Sequence, residues 1–174
     1  IIALLKFLDS PVDDLSFATF LLSDIFQRRA ESFSPGSLLD EIRILLFEVR
    51  RSAHRPAPLY RTVQDRYGKL WMELFEPLFN SVGYLPLYDL VSEAYKRFHV
   101  FTLFHDEEAA HVKFLEAVRA FEQEGNNNLK EFLEYAEERD ETDRWKMEAP
   151  EGTNAVSVMT IHKAKGLDSP VVFV

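Results

Sequence analysis

Residues 156–174 read Val-Ser-Val-Met-Thr-Ile-His-Lys-Ala-Lys-Gly-Leu-Asp-Ser-Pro-Val-Val-Phe-Val, and their chemistry is the most specific in the chain. Residues 156–159 begin an apolar run that predicts a β-strand. Residues 171–174 form a β-branched and aromatic run typical of a strand buried in a parallel sheet. The polar, basic loop between them contains Gly166, which permits backbone turns that residues with a Cβ disfavour. The stretch therefore predicts a strand, a basic loop and a second strand, and in open α/β sheets such loops bind ligands at the carboxyl ends of strands.

The same stretch closely resembles motif V of the UvrD/RecB-like superfamily of DNA helicases, which includes the AddA and RecB helicase–nuclease proteins. The family pattern is an apolar strand, Thr-Ile/Leu-His-x-x-Lys-Gly-Leu-Glu, a short linker usually ending in Pro, and Val-Val-Phe. The matching positions are Thr160, Ile161, His162, Lys165, Gly166, Leu167, Pro170, Val171, Val172 and Phe173. One position departs from the pattern, because Asp168 stands where the family usually has Glu. The alternative is a basic loop of this composition in some other α/β domain.

The resemblance implies two groups of functional residues in the loop. The group that would contact the translocating DNA strand is Thr160, His162 and Lys163. The group that would lie toward the nucleotide and the cleft between the motor domains is Lys165, Gly166 and Asp168. A hydroxyl, an imidazole and backbone N–H groups can hold a phosphate, which agrees with the first assignment. In the structural alternative, Ile161 and Leu167 pack under the sheet and the polar side chains are only solvated.

Upstream of this stretch, apolar residues recur at the spacing of amphipathic helices, with turn signals between the segments. We therefore predict a mainly α protein: a helical subdomain followed by a short strand–loop–strand piece of a RecA-like α/β domain. By resemblance, residues 1–150 correspond to the helical 2B insertion of the family, and residues 151–174 to the return into its 2A domain. Residues 4–22 also resemble the region after motif IV in RecB-like and AddA-like proteins.

Two local patterns in the helical part make testable structural predictions. Ser10 and Pro11 predict a helix start, as an N-cap followed by proline at the first helical position. The apolar stripe predicted for that helix is Val12, Leu15, Ala18, Leu21 and Leu22. Farther along, Trp71, Phe75 and Phe79 share one helical face in a segment that also carries basic residues. Such a segment can stack on bases, but an aromatic stripe usually packs in a core, and core packing is the favoured interpretation.

The net charge of −9 is unusual for a protein that binds nucleic acid, but the charge is unevenly distributed. Residues 50–69 contain six basic residues against one acidic residue, a local net charge of +5. Residues 106–151 contain fifteen acidic against six basic residues, a net charge of −9. We therefore expect DNA to avoid the second segment and to approach the first segment or the motif V loop.

Composition limits the remaining possibilities. The chain of 174 residues has no cysteine, which excludes disulfides and cysteine-bound metal within it and suits a cytoplasmic protein. No apolar run approaches the roughly 20 residues that span a bilayer, so we expect no membrane partner. The chain begins at Ile1 without an initiating Met and ends in a predicted strand, so we expect it to be a piece of a longer protein.

Neither metal nor nucleotide chemistry is expected from the chain itself. Glu108 and His111 have the spacing of a helical ligand pair, but a di-metal site needs a second pair, so a solvated helix surface is the favoured interpretation. The sequence has no Gly-rich phosphate loop and no nucleophile–His arrangement, and we predict no catalytic residue in it. The resemblance implies that ATP and Mg²⁺ serve the longer protein and that neither binds to this piece alone.

The favoured function is therefore part of an ATP-dependent DNA helicase of RecB/AddA type, acting in double-strand-break repair and recombination. Its implied partners are DNA, as a single strand and a duplex junction, and a second helicase–nuclease subunit. The alternative is a helical protein-interaction module without motor activity. A phosphate loop elsewhere in the longer protein and salt-sensitive DNA affinity would favour the helicase.

Overall fold

The computed structural model describes residues 1–33, 36, 38–51, 57–137, 160, 162 and 165, and within them the chain forms helices and no strand. The α-helices are α1 (Ile2–Asp9), α2 (Asp14–Leu21), α3 (Asp24–Ala30), α4 (Leu38–Arg51), α5 (Leu59–Arg66), α6 (Gly68–Leu70), α7 (Glu76–Ser81), α8 (Leu87–Arg97), α9 (Val100–Leu103), α10 (Glu108–Gln123) and α11 (Leu129–Glu137). A π-turn (Trp71–Phe75) joins α6 to α7, and a 3₁₀ turn (His105–Glu107) precedes α10. The prediction of a mainly α protein is confirmed. The two predicted strands and the boundary near residue 150 lie outside the described residues.

Phenylalanine rings fill the centre of the core. Phe7 on α1 stacks on Phe17 of α2, with ring centroids 4.1 Å apart, and Phe17 meets Phe75 edge-on at 5.4 Å. Phe20 joins Phe98 edge-on at 4.9 Å. Aromatic pairs in these geometries stabilise by roughly 0.5–1.5 kcal/mol beyond the area they bury. The core therefore ties α1, α2, the π-turn and the end of α8 together.

The aromatic stripe of the π-turn and α7 belongs to this core and is not available to bases. Trp71 and Phe75 are buried, and Phe79 is half-buried against Phe7 and Tyr60. The core interpretation of this stripe is confirmed. On α4, the predicted helix bounds and the burial of its inner side are also confirmed, with Leu38, Ile42 and Leu45 buried.

The predicted start of the second helix is wrong by three residues. The residues around Pro11 form a turn, and α2 begins at Asp14 with Asp13 as its N-cap. The Asp13 carboxylate accepts a hydrogen bond from the Ser16 backbone N–H at 3.0 Å, which is the function of an N-cap side chain. A carboxylate next to the positive end of the helix dipole is also favourable, which a Ser at the cap does not provide.

The predicted apolar stripe of α2 is also largely wrong. Val12 and Leu15 are strongly exposed, the latter by 79%, and the buried residues of the helix are Phe17, Phe20 and Leu21. Apolar residues lie on both sides of the helix, so spacing alone did not indicate which side faces the core. The larger aromatic side chains bury more apolar surface, and they occupy the core side.

A polar network crosses the core between α3, the π-turn and α8. Arg29 is only 8% exposed, and its Nη2 lies 2.9 Å from Glu73 Oε1 while its Nε donates to the Arg97 carbonyl at 2.8 Å. Arg97 in turn donates from Nη1 to the Glu73 carbonyl at 2.8 Å and pairs with Glu93 at 2.6 Å. Buried charges are tolerated when they are paired and hydrogen-bonded in this way. The network holds the π-turn against the two flanking helices.

Candidate nucleic-acid interface

The structure describes three of the six predicted site residues in the motif V loop. Thr160, His162 and Lys165 all have exposed side chains. Lys163, Gly166 and Asp168 lie outside the described residues. The roles of all six residues therefore stay predictions, and the exposure of the three described residues is compatible with contact to a ligand.

The basic segment at residues 50–69 forms part of a surface shared by α4 and α5. Arg66 Nη1 lies 3.3 Å from Glu48 Oε2, and the Tyr67 hydroxyl donates to Glu41 at 3.4 Å, so the end of α5 lies beside α4. The Arg66–Glu48 pair is exposed and contributes little to stability, roughly 0–1 kcal/mol. Other exposed cations in this segment are Arg50, Arg51, Arg61 and Lys69. Several positive charges are therefore available to a ligand on neighbouring helices.

Phe47 on the outer side of α4 is a surface feature that the sequence pattern did not single out. The side chain is 69% exposed, and Ile44, one turn earlier, is 53% exposed. Both lie on the side of the helix opposite Ile42 and Leu45, which are buried. The signal was present in the sequence, since two large apolar residues fall outside the predicted stripe of an otherwise regular amphipathic helix.

The acidic segment forms a separate surface on α10, α11 and the 3₁₀ turn. Its exposed acids within the described residues are Asp106, Glu107, Glu108, Glu116, Glu124, Glu131, Glu134 and Glu137. A phosphate backbone would be repelled there and attracted to the cations of α4 and α5. The predicted uneven distribution of charge therefore corresponds to different helices of the fold.

His111 does not belong to a solvated helix surface, so that expectation is wrong. Its ring is half-buried and contacts Tyr95, Phe101 and Phe104, with centroid distances of 5.4, 6.3 and 6.0 Å. Its Nδ1 lies 3.3 Å from the Tyr95 hydroxyl, and burial lowers the pKa of His111 below its ordinary value. Aromatic residues surround the ring because α8, α9 and α10 meet there. Within the described ranges, no three potential metal ligands are grouped together.

Comparison with known proteins identifies the class to which this chain belongs. The UvrD-like helicase C-terminal domain matches residues 49–174, which is most of the chain and includes the motif V loop. The chain is therefore a member of the UvrD-like helicase C-terminal domain family, and the resemblance found in its sequence is confirmed. None of the helices in the described part is long and apolar enough to cross a membrane.

Individual relatives point to one branch of that class. The chain is 26% identical over 181 residues to AddA, a component of the ATP-dependent helicase/nuclease, from Streptococcus agalactiae strains of serotypes Ia, V and III. The match covers 98% of this chain and 15% of each relative, so the chain spans about a seventh of their length. No solved structure matches the chain.

Proposed function

We propose that this chain is part of an ATP-dependent DNA helicase of the AddA type that acts in double-strand-break repair and recombination. The observation that carries the proposal is the family match over residues 49–174, because it includes the motif V loop. The name of the relatives supports both the helicase activity and a second helicase–nuclease protein as partner. Since its substrate is DNA, we place the protein in the cytoplasm.

In this proposal the motif V loop couples nucleotide turnover to movement along DNA. The hydroxyl of Thr160, the imidazole of His162 and the ammonium of Lys163 would hold phosphates of the translocating strand. The residues that would lie toward the nucleotide are Lys165, Gly166 and Asp168. Because the two groups are adjacent in one loop, a shift of the nucleotide-facing residues would displace the DNA-facing residues.

ATP and Mg²⁺ would be held by other segments of the longer protein. The chain contains no Gly-x-x-x-x-Gly-Lys-Ser/Thr sequence, whose backbone N–H groups and lysine cradle the phosphates of ATP in P-loop enzymes. The 174-residue chain should therefore show no ATP hydrolysis. Residues 1–150, as the 2B-like helical subdomain, would contact the DNA that the motor approaches, and residues 151–174 would complete the second motor domain.

The His162→Ala variant of the full-length protein tests this assignment. We expect DNA-stimulated ATP hydrolysis to fall by at least tenfold, while hydrolysis without DNA changes little. A matched control is His105→Ala, which removes another exposed imidazole from the 3₁₀ turn before α10. Equal DNA stimulation in the wild type and in His162→Ala would refute the role of this residue. A full-length protein without DNA-stimulated ATPase activity would refute the proposed function.

The second candidate function is a helical protein-interaction module without motor activity. It is favoured by the exposed apolar side of α2 and the turn before it, where Val12, Leu15 and Leu22 contact water. Such side chains are often covered by a partner protein. The two candidates differ in the longer open reading frame, because only the helicase requires a phosphate loop upstream of this chain.

A further inference from the structure

We propose that the outer side of α4 binds single-stranded DNA, with a base stacked on Phe47 and phosphates held by arginines. We define this surface, the α4 outer face, by five residues: Arg43, Ile44, Phe47, Arg50 and Arg51. The inference rests on the proposed function, because that function makes DNA the ligand. It goes beyond that function by assigning a DNA contact to the helical part, far along the chain from the motif V loop.

The spacing of α4 brings the five residues together. At 100° per residue, positions 43, 47, 50 and 51 fall within about 100° of one another around the helix axis, and Ile44 lies beside them. The α4 outer face extends about 12 Å along the axis, since each residue adds about 1.5 Å. All five side chains are exposed in the structure. They therefore form one continuous surface opposite the buried side of the helix.

The charge of this surface suits a polyanion. Arg43 pairs with Asp40 at 3.3 Å, but both partners are exposed, so a ligand can replace the interaction at little cost. Arg50 and Arg51 form no ion pair with any described residue. Exposed Arg66 and its neighbours on α5 extend the positive charge along one edge. Arginine binds phosphate through two parallel hydrogen bonds, and it is well suited to such contacts.

A simple structural role accounts for only part of this surface. Arg50 and Arg51 lie in the last turn of α4, where the helix dipole favours cations. The dipole does not explain an aromatic ring exposed between them and Arg43. An exposed aromatic side chain beside cations is the combination that stacks on bases and holds the backbone of single strands. Because bases in a duplex are stacked on each other, a ring on a convex helix surface reaches only an unpaired base.

The binding of a fluorescein-labelled oligothymidylate of about 20 nucleotides to the 174-residue chain tests the inference, with fluorescence anisotropy as the readout. We expect Phe47→Ala to weaken binding at least about fivefold, the lower end of the range for losing one stacked base. The matched control is Tyr84→Ala, because Tyr84 is 88% exposed and lies on the loop between α7 and α8. This control should bind as the wild type does.

A second pair of variants tests the phosphate contacts. The triple change Arg43→Gln, Arg50→Gln and Arg51→Gln should reduce the slope of log affinity against log salt by about 2, since each lost contact to a single strand contributes about 0.7. The control removes three exposed charges elsewhere through Lys96→Gln, Arg119→Gln and Lys130→Gln. Its salt slope should stay close to that of the wild type. Circular dichroism checks that every variant retains the helical fold.

Several results would overturn the inference. The wild-type chain could fail to bind the oligothymidylate, the two triple variants could lose affinity equally, or Phe47→Ala could bind unchanged. A fourth result is that Phe47→Ala abolishes self-association in sedimentation velocity while DNA binding is unchanged, which would identify a protein interface. Tighter binding of a blunt duplex than of the single strand would also contradict it. None of these assays requires ATP turnover, so their failure is distinguishable from failure of the DNA-stimulated ATPase in the full-length protein.

Discussion

Arg97 donates a hydrogen bond from Nη1 to the backbone carbonyl of Glu73, at 2.8 Å. In a regular α-helix this carbonyl would accept from the N–H of residue 77, but Pro77 has no N–H. A side chain from α8 therefore satisfies a carbonyl that a proline leaves without its usual partner. The π-turn (Trp71–Phe75) immediately precedes this position, so the irregular helix and its external donor form one unit.

A double-mutant cycle tests this relationship. We expect Arg97→Ala to reduce the free energy of unfolding by about 1.5–3 kcal/mol, the usual contribution of a hydrogen bond to a charged group. In a Pro77→Ala background the same change should cost less by about 1 kcal/mol, because residue 77 can then donate to the Glu73 carbonyl. The Arg97–Glu93 pair is present in both backgrounds and cancels. Urea unfolding at pH 7 measures all four proteins, and equal costs in the two backgrounds would contradict the assigned hydrogen-bond partner.

The buried guanidinium of Arg29 makes a second prediction about the same network. It bonds to the Glu73 carboxylate, to the Arg97 carbonyl and to Ser32 Oγ, so it uses three separate N–H groups in a fixed plane. A lysine at this position keeps the charge but cannot reach these acceptors in the same geometry. We expect Arg29→Lys to cost about 1–3 kcal/mol in unfolding free energy, because buried acceptors lose their donor.

The control for this substitution is Arg28→Lys. Arg28 is exposed and donates to the Leu103 carbonyl at 2.8 Å, a single bond that water can replace. Its conversion to lysine should change the unfolding free energy by less than about 0.5 kcal/mol, as for most surface substitutions. If both arginines respond equally, the buried position of Arg29 has no special importance.

The helix start at Asp13 gives a third prediction. Hydrogen bonds from Ser16 lower the pKa of the Asp13 carboxyl below its ordinary value. Asp13→Ala should cost about 1 kcal/mol at pH 7, the usual effect of removing an N-cap. A depressed folded pKa means that this stabilisation is present above the unfolded pKa and is lost as the pH falls through the folded pKa. The difference between wild type and variant should therefore shrink in acid.

Ser10→Ala is the matched control for the cap, because the sequence pattern alone assigned the cap to Ser10. It should change the unfolding free energy little at any pH, since the Asp13 side chain makes the cap bond of α2. A larger cost for Ser10→Ala than for Asp13→Ala would return the cap to Ser10. Thermal unfolding of the three proteins across the acidic range measures both effects.

These residues show which levels of structure the sequence determines. Strong periodicity predicted α4 and the burial of Trp71 and Phe75, because a stripe of large apolar side chains has only one favourable location. Periodicity failed on α2, where both sides are apolar and tertiary packing chose between them. The partners of Arg29 and Arg97 could not be predicted, since the contacts that define them come from distant segments. The motif V loop was identified by its residue order, which needs no three-dimensional information, but its contacts stay predictions.

The last prediction concerns His111, whose ring lies among Tyr95, Phe101 and Phe104. Burial lowers the pKa of its imidazole, and the nearby Glu107 carboxylate opposes this shift only in part. A depressed folded pKa means that the unfolded chain binds the proton first as the pH falls below about 6.5, so the folded state loses stability with acidification. His111→Leu should remove this dependence between about pH 6.5 and the folded pKa. His105→Gln, which changes an exposed imidazole, should retain it. Chemical unfolding at pH 5 and pH 7.5 gives the comparison, and a wild-type stability that rises on acidification through this range would show that the imidazole is charged in the folded protein.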